Sequence, residues 1–125
     1  MVKLEEIQHL FRNSGIYSLL KDNEIVYIGR SRNVYQRVLE HIVEGKKDFD
    51  KAFAAGRGGE IYMDIMEVLL IAELHPKYNL LKIDKTLFLR VLPFDCKKEI
   101  SPLIDNEVSQ FIKRLSGIKE ESETI

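Results

Sequence analysis

The sequence predicts a small α/β domain, in the α+β sense, with a three-stranded, mainly antiparallel sheet flanked by helices. Two short apolar segments, Ile16–Leu20 and Ile25–Ile28, are separated by four turn-forming residues, as in a β-hairpin. Residues 61–74 form the longest apolar segment, which is typical of a buried helix. The chain has 125 residues, the size of one ordinary domain.

Periodicity and capping signals predict the elements of the N-terminal half. Apolar residues at helical spacing indicate a short amphipathic helix over residues 3–12. Asn33, three residues before Gln36, approximates a capping box and predicts a helix that continues to about residue 43. Another short helix is expected near Asp48–Ala55.

The C-terminal half combines one long helix with less regular segments. The apolar helix is expected to stop at Pro76, although its first residues, Glu60–Met63, could instead form a short strand. β-forming residues predict a further strand at Thr86–Leu92. Ser101-Pro102 supplies an N-cap and a first-turn proline for a helix that reaches Leu115. The strand and helix together are expected to occupy residues 86–116.

Composition limits the possible partners and compartments. The 19 Lys and Arg residues balance 20 Asp and Glu residues to a net charge of −1, so a polyanion must be met by a local patch. Cys96 is the only cysteine, which excludes an internal disulfide and a cysteine-rich zinc site. The acidic N-terminus does not resemble a secretory signal, and no apolar stretch reaches the roughly 20 residues that span a bilayer. We expect one cytoplasmic domain over residues 1–125 with a frayed tail at 117–125 and no membrane partner.

Two tripeptides and a helical pair carry functional information. Gly15-Ile16-Tyr17 and Tyr27-Ile28-Gly29 are separated by nine residues and lie on the two predicted hairpin strands. Such tripeptides also occur in ordinary strands. Arg37 and His41 follow, and because they are four residues apart they share one face of the predicted helix. A solvated helix face is the alternative interpretation of this pair.

A third element lies within the apolar segment. Glu67 has apolar neighbours on both sides, and a buried carboxylate needs a partner or a metal. Glu60 and Asp64 lie on roughly the same side of the helix, but acidic residues near a helix start also favour its macrodipole. Glu73 is a rival carboxylate that projects from a different side.

Taken together, both tripeptides, the Arg37 and His41 pair, and Glu67 with the following Pro76-Lys77-Tyr78-Asn79 resemble the GIY-YIG nuclease family. The resemblance covers residues 15–79. It implies a metal-dependent endonuclease that hydrolyses phosphodiester bonds in DNA. It also implies a set of catalytic residues: Tyr17, Tyr27, Arg37, His41, Glu67 and Asn79.

The resemblance implies a role for each of these side chains. Glu67 binds one divalent ion, and Mg²⁺ or Mn²⁺ suits a lone carboxylate completed by waters and phosphate oxygens. Arg37 clamps the scissile phosphate and stabilises its growing charge. Tyr27 is the general base, with its proton shifted towards His41 or a neighbouring group, and His41 is also a rival for the base. Tyr17 orients water or phosphate.

The other expectations concern substrate binding and alternatives. Arg30 and Arg32 are candidate substrate-binding residues, whereas ordinary surface is expected for Lys46 and Lys47. Asn79 is expected to position the metal-bearing helix. A catalytically inactive nucleic-acid-binding module and a partner-binding domain are the alternatives to an enzyme. A chain this small is expected to bind DNA weakly, or to depend on a homodimer or a targeting partner.

Overall fold

In the computed structural model, three strands form one antiparallel sheet that has helices on both faces. The structure describes residues 4–56, 59–80 and 104–117. The strands are β1 (Gly15–Lys21), β2 (Glu24–Ser31) and β3 (Lys51–Ala55), in the spatial order β2-β1-β3. The helices are α1 (Val34–Glu44), α2 (Glu60–Leu74) and α3 (Ile104–Leu115), preceded by a 3₁₀ turn at Leu4–Ile7. The predicted fold class is therefore confirmed.

The predicted hairpin forms between β1 and β2. Its two central turn residues, Asp22 and Asn23, have φ values of 52° and 66°, which a two-residue type I′ turn requires. The strands are antiparallel, and their register places Tyr17 directly opposite Gly29. The end of the first tripeptide therefore meets the end of the second.

The third strand lies where the sequence predicts a helix. β3 is hydrogen-bonded to the edge of β1 in an antiparallel register that places Ala55 opposite Ile16. The prediction of a short helix near Asp48–Ala55 is therefore wrong. The alternative prediction of a strand at Glu60–Met63 is also wrong, because those residues begin α2. Three alanines favour a helix locally, but the free backbone groups of β1 outweigh this weak propensity.

The N-terminal segment packs along the start of α1. Asn33 is the predicted N-cap, and its side chain accepts a hydrogen bond from the amide three residues later at 3.1 Å. The first two amides of α1 donate to the carbonyls of Asn13 and Phe11. Because the segment extends along α1 to supply these acceptors, the helix predicted over residues 3–12 is shortened to the turn at Leu4–Ile7.

The two C-terminal helices match their predicted ends. α2 stops before Pro76, and α3 stops at Leu115. None of the helices in the described ranges is long and apolar enough to cross a membrane. The predicted strand at Thr86–Leu92, the helix start at Ser101-Pro102 and residues 118–125 of the predicted tail lie outside the described residues.

An apolar cluster lies on each face of the sheet. On one face, Ile16 and Ile28 pack with buried side chains of α2 and α3, among them Met66 and Leu69. On the other face, Tyr17 packs with the 3₁₀ turn and α1. Because side chains alternate along a strand, the two tripeptides direct their isoleucines to one face and their tyrosines to the other.

Candidate active site

Tyr17 and His41 join β1 to α1 through a buried hydrogen bond. The Tyr17 hydroxyl and His41 Nε2 are 2.8 Å apart, and each residue is only 1% exposed. Burial, followed by the positive charges of Arg37 and Lys47, lowers the pKa of His41 to about 4. The imidazole is therefore neutral at pH 7, and its Nε2 can accept the phenolic hydrogen. Among the described residues, none forms a hydrogen bond with the buried His41 Nδ1.

Tyr27 completes a cluster of three polar rings. Its centroid lies 6.0 Å from that of Tyr17 and 5.2 Å from that of His41, the latter in an edge-to-face arrangement. Burial raises the pKa of Tyr17. Tyr27 raises it further, through electrostatic repulsion and hydrogen bonding, whereas the charge of Arg37 opposes the shift. Tyr17 therefore keeps its proton at neutral pH and interacts with both of the other rings.

Gly29 allows the phenols to lie against β2. A Cβ atom at this position would be 2.5 Å from the Tyr17 hydroxyl oxygen and 2.8 Å from the Tyr27 ring. Any side chain at Gly29 would therefore displace one or both phenols. The glycine of the second tripeptide is a packing requirement of the ring cluster.

Arg37 lies beside the ring cluster, and its guanidinium is paired within its own helix. Its Nη1 is 2.8 Å from Glu40 Oε2 and 3.5 Å from Glu44 Oε1. All three side chains are partly exposed, so these ion pairs are weak. The charge of Arg37 lowers the pKa of both His41 and Tyr17, which shows that it acts electrostatically on the cluster.

Glu67 and Arg30 lie together on the other side of β2. Arg30 follows Ile28 on the strand face that packs against α2, and it forms an ion pair with Asp64, three residues before Glu67. Burial raises the pKa of the half-buried Glu67, and the charge of Arg30 opposes this shift. Within the described ranges, no salt bridge reaches Glu67.

Asn79 ties the chain after α2 to the outer edge of β2. Its Oδ1 accepts from the amide of Ile28 at 2.9 Å, and its Nδ2 donates to the carbonyl of Ile28 at 2.8 Å. The amide of Tyr78 donates to the carbonyl of Val26 at 2.8 Å. The side chain of Asn79 therefore makes both of these hydrogen bonds with the backbone of Ile28, inside the second tripeptide. This contact suits the expected role of Asn79 in positioning the helix that carries Glu67.

The surroundings of Glu67 fit a cation held by one protein carboxylate. A half-buried carboxylate with a raised pKa gains stability when a cation lies beside it. In the described part of the chain, no three His, Cys, Asp or Glu residues converge on a possible metal site. Water and substrate oxygens would therefore supply most ligands, as hard divalent cations accept.

The predicted site residues thus form two groups and leave one outside. Tyr17, Tyr27, Arg37 and His41 lie on the α1 side of the hairpin, and Arg30 and Glu67 lie on the α2 side. Asn79 lies at the edge between the groups, whereas Arg32 is exposed in the loop that follows β2.

Sequence reasoning missed Lys47. Its Nζ lies 4.8 Å from the centroid of the Tyr27 ring, although ordinary surface was expected there. It follows the glycine that ends α1, and neither periodicity nor a motif marks it.

Known proteins resemble this chain over about two thirds of its length. No protein-family model matches it. UvrABC system protein C of Aquifex aeolicus is 27% identical in a 94-residue alignment that covers 65% of this chain and 17% of that protein. The protein of the same name from Francisella philomiragia is 32% identical in a 91-residue alignment that covers 64% of this chain and 15% of that protein. The matched region is thus about a sixth of each relative.

Solved structures share the fold. The GIY-YIG N-terminal endonuclease domain of UvrC from Thermotoga maritima, bound to its catalytic divalent cation, magnesium, has a TM-score of 0.51. It is 21% identical and covers 61% of this chain and 93% of its own. A point mutant of that domain with its divalent cation gives the same TM-score at 20% identity. With its two tripeptides on one hairpin, this chain has the fold of the GIY-YIG domain and resembles proteins of the GIY-YIG nuclease family in sequence.

Proposed function

We propose that this chain is a metal-dependent endonuclease that hydrolyses phosphodiester bonds in DNA, with Mg²⁺ or Mn²⁺ as its cofactor. The observation that carries the proposal is the buried hydrogen bond between Tyr17 and His41, with Tyr27 packed against both rings. Burying phenol and imidazole groups lowers the stability of a protein unless they are hydrogen-bonded, so apolar side chains would be expected in a core with a purely structural role. The magnesium bound by the Thermotoga maritima domain supports a divalent cation here.

The ring cluster supplies a route for protons. In the proposed reaction, the attacking water gives its proton to the Tyr27 oxygen while the water oxygen bonds to phosphorus. The bond from phosphorus to the leaving oxygen breaks, and that oxygen takes a proton from solvent. Tyr27 must first lose its own proton, which can pass by way of Tyr17 and His41 to solvent, because the lowered pKa of His41 prevents it from keeping the proton at neutral pH.

Arg37 is the proposed stabiliser of transition-state charge. To bind a phosphate, its guanidinium must exchange or share its contacts with Glu40 and Glu44. Because these pairs are partly exposed, breaking them costs only about 1 kcal/mol or less. A phosphate oxygen held at the reacting centre therefore competes well for Arg37. Arg30 and Arg32 add positive charge for the DNA backbone.

Glu67 is the proposed ligand of the cation. When bound, a divalent ion supplies charge relief at the phosphate and stabilises the leaving oxygen. Asn79 fixes the chain after α2 against Ile28 of β2. This contact helps to keep the helix that carries Glu67 at a constant distance from the strand that carries Tyr27.

A non-catalytic DNA-binding module is the second candidate. The ion pairs of Arg37 favour it, because a guanidinium held by two carboxylates is less available to the scissile phosphate. For either function, the near-neutral net charge implies weak affinity for DNA. We propose that a second copy of the chain or a targeting partner supplies the remaining affinity.

A plasmid-cleavage assay tests the proposed function. Purified protein is incubated with supercoiled plasmid and Mg²⁺, Mn²⁺ or a chelator, and Glu67→Gln is compared with wild type. We expect cleavage only with a divalent ion and nearly complete loss in Glu67→Gln, because the amide cannot replace the carboxylate as a charged ligand.

Glu73→Gln is the matched control on the same helix and is expected to cleave like wild type. Chelator-resistant cleavage, or full activity in Glu67→Gln, contradicts the proposed metal site. DNA binding by wild type without any cleavage supports the non-catalytic module.

A further inference from the structure

The loop between α1 and β3 forms one wall of an open cleft beside the ring cluster. The cleft has a volume of about 320 Å³, and His41, Lys47, Phe49 and Tyr78 are among its lining residues. Gly45, at φ 66°, ends α1 and turns the chain into this loop. The cleft therefore adjoins the same His41 that is hydrogen-bonded to Tyr17.

The loop is anchored on the C-terminal side of Lys47. The amide of Asp48 donates to the Tyr78 hydroxyl at 3.1 Å, and the side chain of Phe49 is buried. The amide of Asp50 donates to the carbonyl of Leu20 at 2.7 Å. Because its neighbours are held in this way, Lys47 has a defined backbone position, unlike a lysine in an unanchored surface loop.

The ammonium of Lys47 lies over the ring of Tyr27. Its Nζ is 4.8 Å from the ring centroid, within the range of a cation–π contact, and the residue is only partly exposed. A cation at this distance stabilises a phenolate more than a neutral phenol, because only the phenolate carries a net negative charge. The same ammonium opposes a positive charge on His41.

Other groups that face the two rings set the balance of charge. Tyr17 of β1 faces both rings, and its hydroxyl is hydrogen-bonded to His41. On α1, Arg37 acts in the same direction as Lys47 on His41, whereas Glu40 and Glu44 act in the opposite direction. Arg37 is paired with those two glutamates. Of these two cations, Lys47 is the one whose ammonium lies over the Tyr27 ring.

We propose that Lys47 is a positioning residue of the candidate active site, whose ammonium lies over the Tyr27 ring and stabilises negative charge that develops there during the reaction. This inference rests on the proposed function, in which Tyr27 accepts a proton from water. It assigns a role to a residue outside both tripeptides and outside the Arg37 and His41 pair.

The pH dependence of plasmid cleavage tests this role. In Lys47→Met, which keeps most of the apolar stem, we expect the rise of kcat with pH to move to higher pH. The rate at neutral pH is expected to fall about tenfold. Lys47→Arg restores the charge and is expected to restore most of the rate. Lys46→Met is the control, because it removes the same charge from an adjacent position and is expected to follow the wild-type profile.

A second readout needs no cleavage. The ring resonances of His41, followed by NMR during an acid titration of the free protein, report its pKa directly. We expect this pKa to rise in Lys47→Met, because a nearby positive charge has been removed, and to stay unchanged in Lys46→Met.

The two readouts separate failure of this inference from failure of the proposed function. If wild type cleaves DNA but Lys47→Met keeps both its pH profile and its His41 titration, the inference is overturned. If wild type does not cleave, the proposed function fails, and the His41 titration alone decides whether Lys47 acts on the cluster. An unchanged His41 pKa in Lys47→Met then overturns the inference as well.

Discussion

The two faces of the sheet use the same strands for different purposes. Against α2 and α3, β1 and β2 bury isoleucines, and the buried hydroxyl of Ser18 donates to the backbone carbonyl of Leu115. Against α1, the same strands present Tyr17 and Tyr27 to His41, and polar side chains are paired with one another. One face is therefore a conventional apolar core, and the other contains a polar cluster.

This difference separates stability from proposed chemistry. Apolar burial contributes roughly 25 cal/mol per Å² without directional requirements, and the α2 face depends on it throughout. A buried phenol and imidazole are favourable only while their hydrogen bond is intact. Glu67 and Arg30 are the exception on the α2 side, because both are charged and only partly buried. Variants on the two faces should therefore fail in different ways.

The largest effect is expected for Tyr27→Phe. This change keeps the ring and its packing but deletes the hydroxyl, so the proposed base is lost and cleavage should fall about 10²–10⁴-fold. Thermal melting and DNA binding should stay close to wild type. Plasmid cleavage and a binding titration measure the two properties on the same preparation.

Two further variants identify the base. Tyr17→Phe is expected to lose less activity, because an orienting hydrogen bond contributes less than a base. If Tyr27→Phe keeps substantial activity while His41→Ala is inactive, the role of base belongs to His41.

The opposite pattern is expected for Leu69→Ala on the apolar face. Leu69 is completely buried, and shortening it leaves a cavity that lowers the free energy of unfolding by about 2–5 kcal/mol. Urea denaturation measures this loss. At a temperature where the variant is folded, its cleavage rate should match wild type. A stable but inactive Leu69→Ala would show that the two faces are not separable.

Arg37→Ala should reduce the cleavage rate at saturating DNA about 10²–10³-fold, because a preorganised charge at the reacting centre is removed. Binding without metal should change little, since Arg37 is one cation among several. Lys113→Ala on α3 removes an exposed positive charge from the other side of the sheet and serves as the control. Normal cleavage by Arg37→Ala under saturation argues against the assigned role.

The smallest effect is the contribution of His41 to the pH dependence of stability. Its pKa is lowered from 6.5 to about 4 in the folded protein, so the unfolded chain binds more protons between these values. The free energy of unfolding should therefore fall as the pH decreases from 6.5 towards 4, by at most about 3 kcal/mol. His41→Gln should flatten this slope in denaturation experiments at several pH values, whereas exposed His75→Gln should keep it. Equal slopes in wild type and His41→Gln contradict the assigned burial.

Local signals in the sequence were sufficient for much of this fold. Asp22-Asn23 specifies a tight turn, Asn33 specifies the start of α1, and Pro76 prevents α2 from continuing. Each signal acts within a few residues through backbone geometry or a single hydrogen bond. The two tripeptides and Glu67 could also be recognised from the sequence, because their order and spacing along the chain resemble the pattern of a known family.

Tertiary structure determined the contacts between residues that are distant in sequence, which local signals do not specify. The alanine-rich segment of β3 became a strand because β1 offers it a free edge, and that edge is distant in sequence. The partner of His41 was found to be Tyr17, since the hairpin register and the packing of α1 together set that distance. Lys47 reached the ring of Tyr27 only because the loop after it is anchored to Tyr78 and Leu20. A one-dimensional pattern records spacing along the chain, whereas these contacts depend on the closure of the chain in space.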